Sequence, residues 1–345
     1  MTDTFAALEP YGFSERVHAL WNAQPRALTH PGRVVRIDGA LCQVACADGV
    51  ERPCRTRTPV AVGDWVAVGA DDTVDDVLQR WSAVTRMDPA QSGACAGLQV
   101  LAANVDVVVI AAPADRLKVG RVEREVALAW ESGAKPVVAL TKSDLDDGHG
   151  LATLRMRVAG VDVVATSARH RRGIDHLAEE LHAGRTGVLL GPSGAGKSAL
   201  VNALVGRDAQ ATGSVRAGDQ CGRHTTTARQ LVCLPGGGVL IDTPGLRSLA
   251  LSGGCGVAAA FPDIAGLARG CRFRDCGHGR EPGCAVKRAV ADGSLDPDRL
   301  ANFAKLARVV AAERRRTDPL AARAAKRVYV RRRNEARRND KRRWI

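Results

Sequence analysis

One short segment has the glycines, the lysine and the hydroxyl groups needed to bind a chain of phosphates. It reads Gly-Pro-Ser-Gly-Ala-Gly-Lys-Ser and begins at Gly191. Glycines at this spacing let backbone N–H groups wrap around an anion. Lys197 then donates to the β- and γ-phosphates, and Ser198 is a ligand of Mg²⁺. The predicted phosphate-binding residues are Gly191, Ser193, Gly194, Ala195, Gly196, Lys197 and Ser198.

A motif further along has the carboxylate and the glycine of a γ-phosphate sensor. Asp242 follows the apolar run 239–241 and is expected to hold Mg²⁺ through water. Gly245 offers a backbone N–H to the γ-phosphate. The pattern Asp-x-x-Gly alone usually marks only the exit from a strand. Its position 44 residues after Ser198 favours the sensor.

A third motif, Thr-Lys-Ser-Asp, begins at Thr141 and can read a guanine base. The carboxylate of Asp144 can accept two N–H bonds from guanine, and adenine has no matching pair of donors. The stem of Lys142 can cover the ring. Thr141 stands where Asn is usual, so it keeps an oxygen but lacks the amide. An isolated match of this length is more often a capping turn. The backbone expected behind the base belongs to Ser167 and Ala168.

The order of these motifs along the chain is unusual. In ordinary small GTPases the phosphate loop comes first and the base-reading motif late. Here Thr141 precedes Gly191 by 50 residues. This order predicts a circularly permuted GTPase. It restricts the possible functions of the protein more than any single motif does.

The segment 206–229 is rich in Gly, Ser and Thr, which favours a switch ordered by nucleotide; a simple surface loop is the alternative. Thr226 is expected to close on Mg²⁺ and the γ-phosphate. Leu246 follows Gly245 at the position where many small GTPases have a water-orienting Gln. His224 is the candidate for that catalytic role, because a neutral imidazole can polarise water near pH 7. A plain polar loop histidine fits almost as well.

Three cysteines and one histidine lie within fourteen residues of each other in the C-terminal part. Four soft or borderline ligands suit tetrahedral Zn²⁺. Because all four positions would be filled by protein, no water remains to be activated, and the metal is expected to be structural. The predicted zinc ligands are Cys271, Cys276, His278 and Cys284. The other seven cysteines are scattered and fit small buried hydrophobes.

The positive charge of the chain is concentrated at one end. Residues 314–345 contain 14 Lys and Arg against 3 Asp and Glu, which is +11 of the total net charge of +13. Such a block is usually a nucleic-acid-binding arm or a solvated helix. Residues 1–10 lack the apolar core of a signal peptide, and no apolar run is long enough to span a bilayer. We therefore expect a cytoplasmic protein.

The apolar pattern changes near residue 102. Before it, short alternating runs over residues 32–88 favour a small β-barrel, with an OB-fold as the leading candidate and residues 81–86 as its closing strand. After it, apolar runs alternate with helical spacing, as in a doubly wound α/β domain. An irregular stretch is expected at 261–284, with helices from residue 300 onward.

Together these residues resemble the ribosome small-subunit-dependent GTPase A family (RsgA/YjeQ). Five stretches add to the permuted motifs: Val-Gly-Asp-Trp-Val from Val62, Ala-Asn-Val-Asp from Ala103, Arg-His-Thr-Thr-Thr from Arg223, Cys-Arg-Phe-Arg-Asp-Cys-x-His from Cys271, and Glu-Pro-Gly-Cys from Glu281. The resemblance covers residues 31–310. It implies a multidomain α/β protein with an N-terminal OB-fold, a central circularly permuted P-loop GTPase domain and a C-terminal helical zinc-binding domain.

The resemblance also implies an activity and partners. These are GTP hydrolysis stimulated by the small ribosomal subunit, a role in late maturation of that subunit, contact with its rRNA, one structural Zn²⁺, and Mg²⁺ bound with GTP. The family's catalytic histidine falls on His224 and its switch threonine on Thr226. A monomer without membrane contact is expected. The expected divisions are an N-terminal extension (1–30), the OB-fold (31–90), the GTPase domain (91–252), the zinc domain (253–313) and a basic tail (314–345).

Two other functions remain open from the residues themselves. One is an RNA-binding assembly factor with slow or vestigial nucleotide turnover, against which Lys197, Ser198 and Asp242 argue. The other is an ATP-using P-loop enzyme such as a kinase, against which Asp144 argues.

Overall fold

The N-terminal part of the chain folds as a small closed β-barrel. The structure is a computed structural model that describes residues 5–24, 29–87, 97–209, 229–242, 251, 254–279, 281–318, 320, 321, 323 and 326. A 3-10 helix (Ala6–Tyr11) and helix α1 (Glu15–Asn22) come first. The barrel strands are β1 (Thr29–Asp38), β2 (Leu41–Cys46), β3 (Glu51–Thr56), β4 (Trp65–Gly69) and β5 (Thr73–Val77). They pair in the order β1-β2-β3-β5-β4, and β4 returns to β1. The predicted OB-like barrel is confirmed.

The prediction that residues 81–86 close the barrel was wrong. Strand β6 (Ala83–Met87) pairs instead with β7 (Leu98–Ala103) in a separate two-stranded antiparallel sheet. The barrel closes without it because β1 is ten residues long. Residues 29–33 of β1 pair with β4 and residues 32–38 pair with β2, so that the middle of β1 has a partner strand on each side.

The central part alternates strands and helices around one sheet. Its elements are β8 (Val107–Pro113), α2 (Val119–Ser132), β9 (Lys135–Thr141), α3 (His149–Arg157), β10 (Asp162–Ala165), α4 (Ile174–Glu180), β11 (Thr186–Leu190), α5 (Lys197–Ala209), β12 (Gln230–Cys233) and β13 (Val239–Asp242). Among the described strands the order is β10-β9-β8-β11-β13-β12, parallel except for β12. The predicted α/β class is confirmed.

Strand β8 shows why the sequence signal for this sheet was strong. Val108 and Ile110 face a core that continues into the barrel and the C-terminal helices. Val107 and Val109 face a second core on the other side of the sheet. A strand covered on both faces requires a continuous apolar run rather than alternation.

The C-terminal part is helical, with α6 (Cys255–Ala260), α7 (Pro262–Ala268), α8 (Ala285–Ala291) and α9 (Pro297–Thr317). Helices α6, α7 and α8 were not predicted, because six or seven residues are too few to display an amphipathic period. The expectation that residues 261–284 are irregular was wrong for α7, which lies within that stretch. No helix in the described part of the chain combines the length and the apolar composition that crossing a bilayer requires.

Helix α2 is the surface on which these C-terminal helices pack. The carboxylate of Glu131 accepts hydrogen bonds from the backbone N–H groups of Gly254 (3.2 Å) and Gly256 (2.8 Å), at the start of α6. A Cβ atom at Gly256 would lie 2.1 Å from the carbonyl oxygen of Ala127. Only glycine allows so close an approach of the two helices.

A buried ionic network fixes the same interface. The fully buried carboxylate of Glu123 accepts from Arg157 (2.9 Å) and Arg299 (3.0 Å). The guanidinium of Arg299 also donates to both carboxylate oxygens of Asp263 and lies 4.6 Å from the ring centroid of Phe261. Buried charges are tolerated when they are paired, and this pairing joins α2, α3, α7 and α9.

Arg33 joins the barrel to the central sheet. It is fully buried, donates to the hydroxyl of Thr186 (2.7 Å) and the carbonyl of Tyr11, and lies over the ring of Trp65. Burial lowers the pKa of its guanidinium to about 10. Thr186 is the first residue of β11, so this contact anchors the strand that leads into the phosphate loop.

Candidate functional site

The predicted nucleotide motifs meet at one edge of the sheet. Pro113 of β8 is paired with Thr141 of β9, and Leu190 of β11 is paired with Ile110 of β8. Strand β13, beside β11, ends at Asp242. Carboxyl ends of parallel strands form the usual ligand crevice of such sheets, so motifs far apart in the sequence become neighbours.

The phosphate loop has the backbone that its glycines predict. Gly191, Gly194 and Gly196 have φ angles of +140°, +72° and +87°, a region that side-chain-bearing residues rarely adopt. A Cβ atom at Gly191 would also lie 2.6 Å from the carbonyl oxygen of Ala111. The loop therefore requires glycine at these turns and leads directly into α5.

The side chains of the loop are arranged around its backbone. The Lys197 Nζ atom donates to the carbonyls of Gly191 and Pro192, both at 2.9 Å. This holds the ammonium group against the loop. Ser193 and Ser198 are exposed, whereas Ala195 is fully buried.

A hydrogen bond links the base-reading motif to the phosphate loop. The buried hydroxyl of Thr141 donates to the carbonyl oxygen of Ala195 at 2.6 Å. The next residue, Lys142, has a left-handed backbone with φ of +55°. Because of this turn, the side chains of Thr141 and Lys142 have different partners. Lys142 Nζ pairs with Asp115 at 2.8 Å.

Asp144 is the exposed acceptor that the sequence assigned to guanine. Its carboxylate accepts a hydrogen bond from the hydroxyl of Ser167 at 2.7 Å. This hydrogen bond is the largest cause that lowers the pKa of Asp144 below its ordinary value. The Ser167 side chain is buried and Ala168 is half-buried beside it. The residues at the ends of β9 and β10 therefore act together: the Ser167 hydroxyl orients the carboxylate of Asp144 and favours its ionised form.

Asp242 lies at the end of β13 in a partly buried setting. Burial raises the pKa of its carboxyl group, and the charge of Lys197 acts in the opposite direction. A desolvated carboxylate near a phosphate loop favours a cation, and oxygen donors of this kind suit Mg²⁺. Asp242 and the hydroxyl of Ser198 are the described members of the predicted magnesium site.

Several predicted residues lie outside the described part of the chain. They are the catalytic candidate His224, the switch residue Thr226, the sensor Gly245 with its neighbour Leu246, and the basic tail from residue 327 on.

The four predicted zinc ligands converge. Their donor atoms all lie within 4.8 Å of one another. The Sγ of Cys271 is 3.8 Å from that of Cys284, and the Nδ1 of His278 is 3.7 Å from Cys271 and 3.5 Å from Cys284. Four donors at zinc bond lengths around a tetrahedral centre would be separated by about 3.5–3.8 Å. The cluster, completed by Cys276, therefore fits one tetrahedral ion.

The loop that bears these ligands is shaped by the carboxylate of Glu281, to which the sequence motifs assigned no role of its own. Glu281 accepts from the backbone N–H groups of Gly277 (3.3 Å) and Gly279 (2.8 Å), on either side of His278. The Sγ of Cys284 caps α8 by accepting from the N–H of Lys287. An acidic residue between closely spaced ligands and glycines is the signal that could have identified Glu281.

Two residues next to the nucleotide motifs were also missed. Asp115 pairs with Lys142, and Arg116 donates to the carbonyl of Ser193 in the phosphate loop at 3.1 Å. They follow β8 directly. Charged residues immediately after a buried parallel strand point to this edge of the sheet, and that signal was available in the sequence.

The base-reading strand end precedes the phosphate loop along the chain, while both lie at the same edge of one sheet. These features define the class of circularly permuted P-loop nucleotide-binding proteins. Two solved structures have similar folds. YjeQ from Thermotoga maritima has a TM-score of 0.61 and 26% identity, over 82% of this chain and 99% of its own. YloQ, described as a circularly permuted GTPase, has a TM-score of 0.59 over 83% and 97%, and its 21% identity supports the fold alone.

Sequence comparisons give the family. The model of the RsgA GTPase family matches residues 77–252. A curated protein of Streptomyces coelicolor, named small ribosomal subunit biogenesis GTPase RsgA, is 44% identical over 95% of this chain and 93% of its own. Its namesake from Opitutus terrae is 47% identical over 79% and 78%. The chain belongs to the RsgA GTPase family.

Proposed function

We propose that this protein hydrolyses GTP and assists the late maturation of the small ribosomal subunit, with hydrolysis stimulated by that subunit. The names of its relatives support the biological role. For this chain, the observation that carries the proposal is the hydrogen bond from Thr141 to Ala195. It ties the base-reading motif to the phosphate loop, so that both halves of one GTP site keep a fixed geometry.

The guanine base is assigned to three side chains and a short backbone segment. Asp144 accepts the two N–H bonds of guanine, and the hydroxyl of Ser167 helps to keep its carboxylate ionised. Lys142, held by Asp115, covers the ring. The backbone of Ser167 and Ala168 lies behind the base.

The triphosphate is assigned to the phosphate loop and the N–H of Gly245. Bound Mg²⁺ would neutralise charge on the β- and γ-phosphates. Its proposed ligands are the hydroxyls of Ser198 and Thr226 and, through water, the carboxylate of Asp242. Lys197 stabilises negative charge on the transferred phosphoryl group. His224 orients the attacking water, because Leu246 has no polar group to do so.

The cluster of Cys271, Cys276, His278 and Cys284 is proposed to hold one structural Zn²⁺. Three thiolates and one imidazole, at separations that match a tetrahedral ion, support this identity. The ion would order the loop in front of α8. Metal binding of this kind contributes directly to folding.

The proposed domain division is 1–30, 31–90, 91–252, 253–313 and 314–345. The proposed partners are GTP, GDP, the small subunit and its rRNA, bound by a cytoplasmic monomer. Since aromatic residues make up only 3% of the chain, contacts with rRNA would be made mainly to phosphates and would depend strongly on salt.

The test compares GTP turnover with and without purified small subunits, and includes Lys197→Ala. The proposal predicts stimulation that this substitution abolishes. The alternative is an assembly factor with slow or vestigial nucleotide turnover. It predicts that Lys197→Ala changes neither GTP hydrolysis nor the release of the protein from the subunit.

A further inference from the structure

A cavity of about 510 Å³ lies between α2 and α9. Its volume falls in the range of pockets that enclose a small organic ligand. One of its walls is Leu190, the residue immediately before the phosphate loop. The cavity is thus formed jointly by the central α/β sheet and by the long helix of the C-terminal part.

The lining of this α2–α9 cavity is divided by polarity. The apolar surface consists of Leu128, Leu190, Leu306 and Val309. Four cationic residues lie around it: Lys118, Arg121, Arg124 and Lys305. Among the lining residues that the structure describes, the one carboxylate is that of Glu125, which accepts a hydrogen bond from Arg121 at 2.9 Å and is therefore already paired.

Two of the cations are available to a ligand. Lys118 and Lys305 are exposed, and neither ammonium group has a hydrogen bond or an ion pair within the described part of the chain. They come from different elements, Lys118 from the start of α2 and Lys305 from α9. Two unpaired cations in a largely polar cavity that also has an apolar patch match a ligand with a planar apolar body and a phosphate group.

We propose that the α2–α9 cavity binds one nucleotide unit, with its base against the apolar wall and its phosphate at Lys118 and Lys305. This site is distinct from the GTP site, because the residues assigned to guanine and to the phosphates do not line it. The nucleotide is either free or part of an RNA strand. Both sources present the same base and phosphate.

Because of the position of the cavity, a bound ligand would affect the packing of the C-terminal helices. It would touch α2 and α9 together, and α2 is the helix on which the C-terminal helices pack through Glu131 and Glu123. A ligand here would therefore stabilise the packing of the C-terminal helices on the central sheet.

Calorimetry on the full chain, saturated with GDP and Mg²⁺ to fill the GTP site, tests this proposal. The probes are UMP, inorganic phosphate and a pentauridylate strand. The variants are Lys118→Gln with Lys305→Gln, and a control that removes two exposed cations elsewhere, Arg155→Gln with Arg288→Gln. The cavity variant should weaken UMP or pentauridylate binding by roughly tenfold or more, since two charged contacts are lost. The control should stay within about twofold.

The three probes distinguish a free nucleotide from an RNA strand, and they include outcomes that contradict the proposed site. Tighter binding of pentauridylate with a steeper salt dependence supports an RNA strand, and equal binding of UMP supports a free nucleotide. Phosphate binding as tight as UMP binding overturns the role of the apolar wall, and equal losses in both double variants overturn the site. Neither failure touches GTP hydrolysis, since Lys118 and Lys305 lie outside the proposed GTP site.

Discussion

The hydroxyl of Thr141 donates to the carbonyl oxygen of Ala195 at 2.6 Å, across 54 residues of sequence. Both groups are buried, so the bond is shielded from competing water. Thr141 stands where the base-reading motif usually has Asn, and this contact shows that the shorter side chain still reaches the phosphate loop. The motif that begins at Thr141 therefore remains hydrogen-bonded to the phosphate loop without the amide of Asn.

Thr141→Val removes this hydroxyl while keeping the shape of the side chain. It leaves the carbonyl of Ala195 buried without its donor, which costs about 1–3 kcal/mol. We expect GDP affinity, measured by titration with a fluorescent GDP analogue, to fall by roughly tenfold. Thr141→Ser, which retains the hydroxyl, is the control and should bind nearly as the native chain does. Equal affinity of all three proteins would show that the contact does not shape the GTP site.

The hydrogen bond from Ser167 to Asp144 should set the pH range of the proposed guanine selectivity. It lowers the pKa of Asp144, so the carboxylate stays ionised as the pH falls and is protonated only below its ordinary range. Selectivity should be lost when the pH falls through this lowered pKa. Ser167→Ala should raise that pKa and move the loss of selectivity to higher pH. The ratio of GDP to ADP affinity, followed from pH 7 to below the ordinary aspartate pKa of about 3.9, measures this, and superimposable profiles for the two proteins would refute it.

Cys276→Ser should lower the zinc content of the purified protein well below one ion per chain, because a hydroxyl is a poor ligand for zinc. The C-terminal helices should melt earlier, since metal binding is coupled to folding. Cys255→Ser is the matched control: Cys255 is exposed and lies outside the cluster. Metal analysis and thermal unfolding report the two effects. A Cys276→Ser protein with full zinc content would contradict the assignment.

Arg299→Leu should destabilise the packing of the C-terminal helices on α2. It removes the partner of Asp263 and one of the partners of the buried Glu123. Breaking such a buried pair costs about 3–5 kcal/mol, which urea unfolding can resolve. Arg36→Leu breaks a pair with Asp38 in which both side chains are exposed and should cost less than about 1 kcal/mol. Similar losses of unfolding free energy in the two variants would show that the buried network stabilises the protein no more than an exposed ion pair does.

The sequence predicted the parts of the fold whose signals are local. The apolar run at β8 and the glycines at Gly191, Gly194 and Gly196 can be read directly, because a strand buried on both faces and a loop with positive φ angles each demand particular residues. The cysteine cluster is equally explicit. The strand that closes the barrel was misassigned, since the sequence does not show that β1 is long enough to pair on both sides.

The contacts that connect the domains could not be predicted in this way. Arg33 and Arg299 look like ordinary surface arginines in the sequence, and only the folded chain shows them buried against Thr186 and Glu123. Both depend on partners more than 150 residues away. Helices α6, α7 and α8 were missed because they are stabilised by packing and not by a periodic pattern of their own.

The most direct test of the proposed function is the ratio of GTP hydrolysis rates with and without purified small ribosomal subunits, measured for the native chain and for His224→Ala. Orientation of the attacking water by a positioned side chain contributes on the order of 10²–10⁴ in rate. We predict a ratio well above one for the native chain, and a loss of most of the stimulated rate in His224→Ala with GDP affinity unchanged. A native ratio of one would contradict the account.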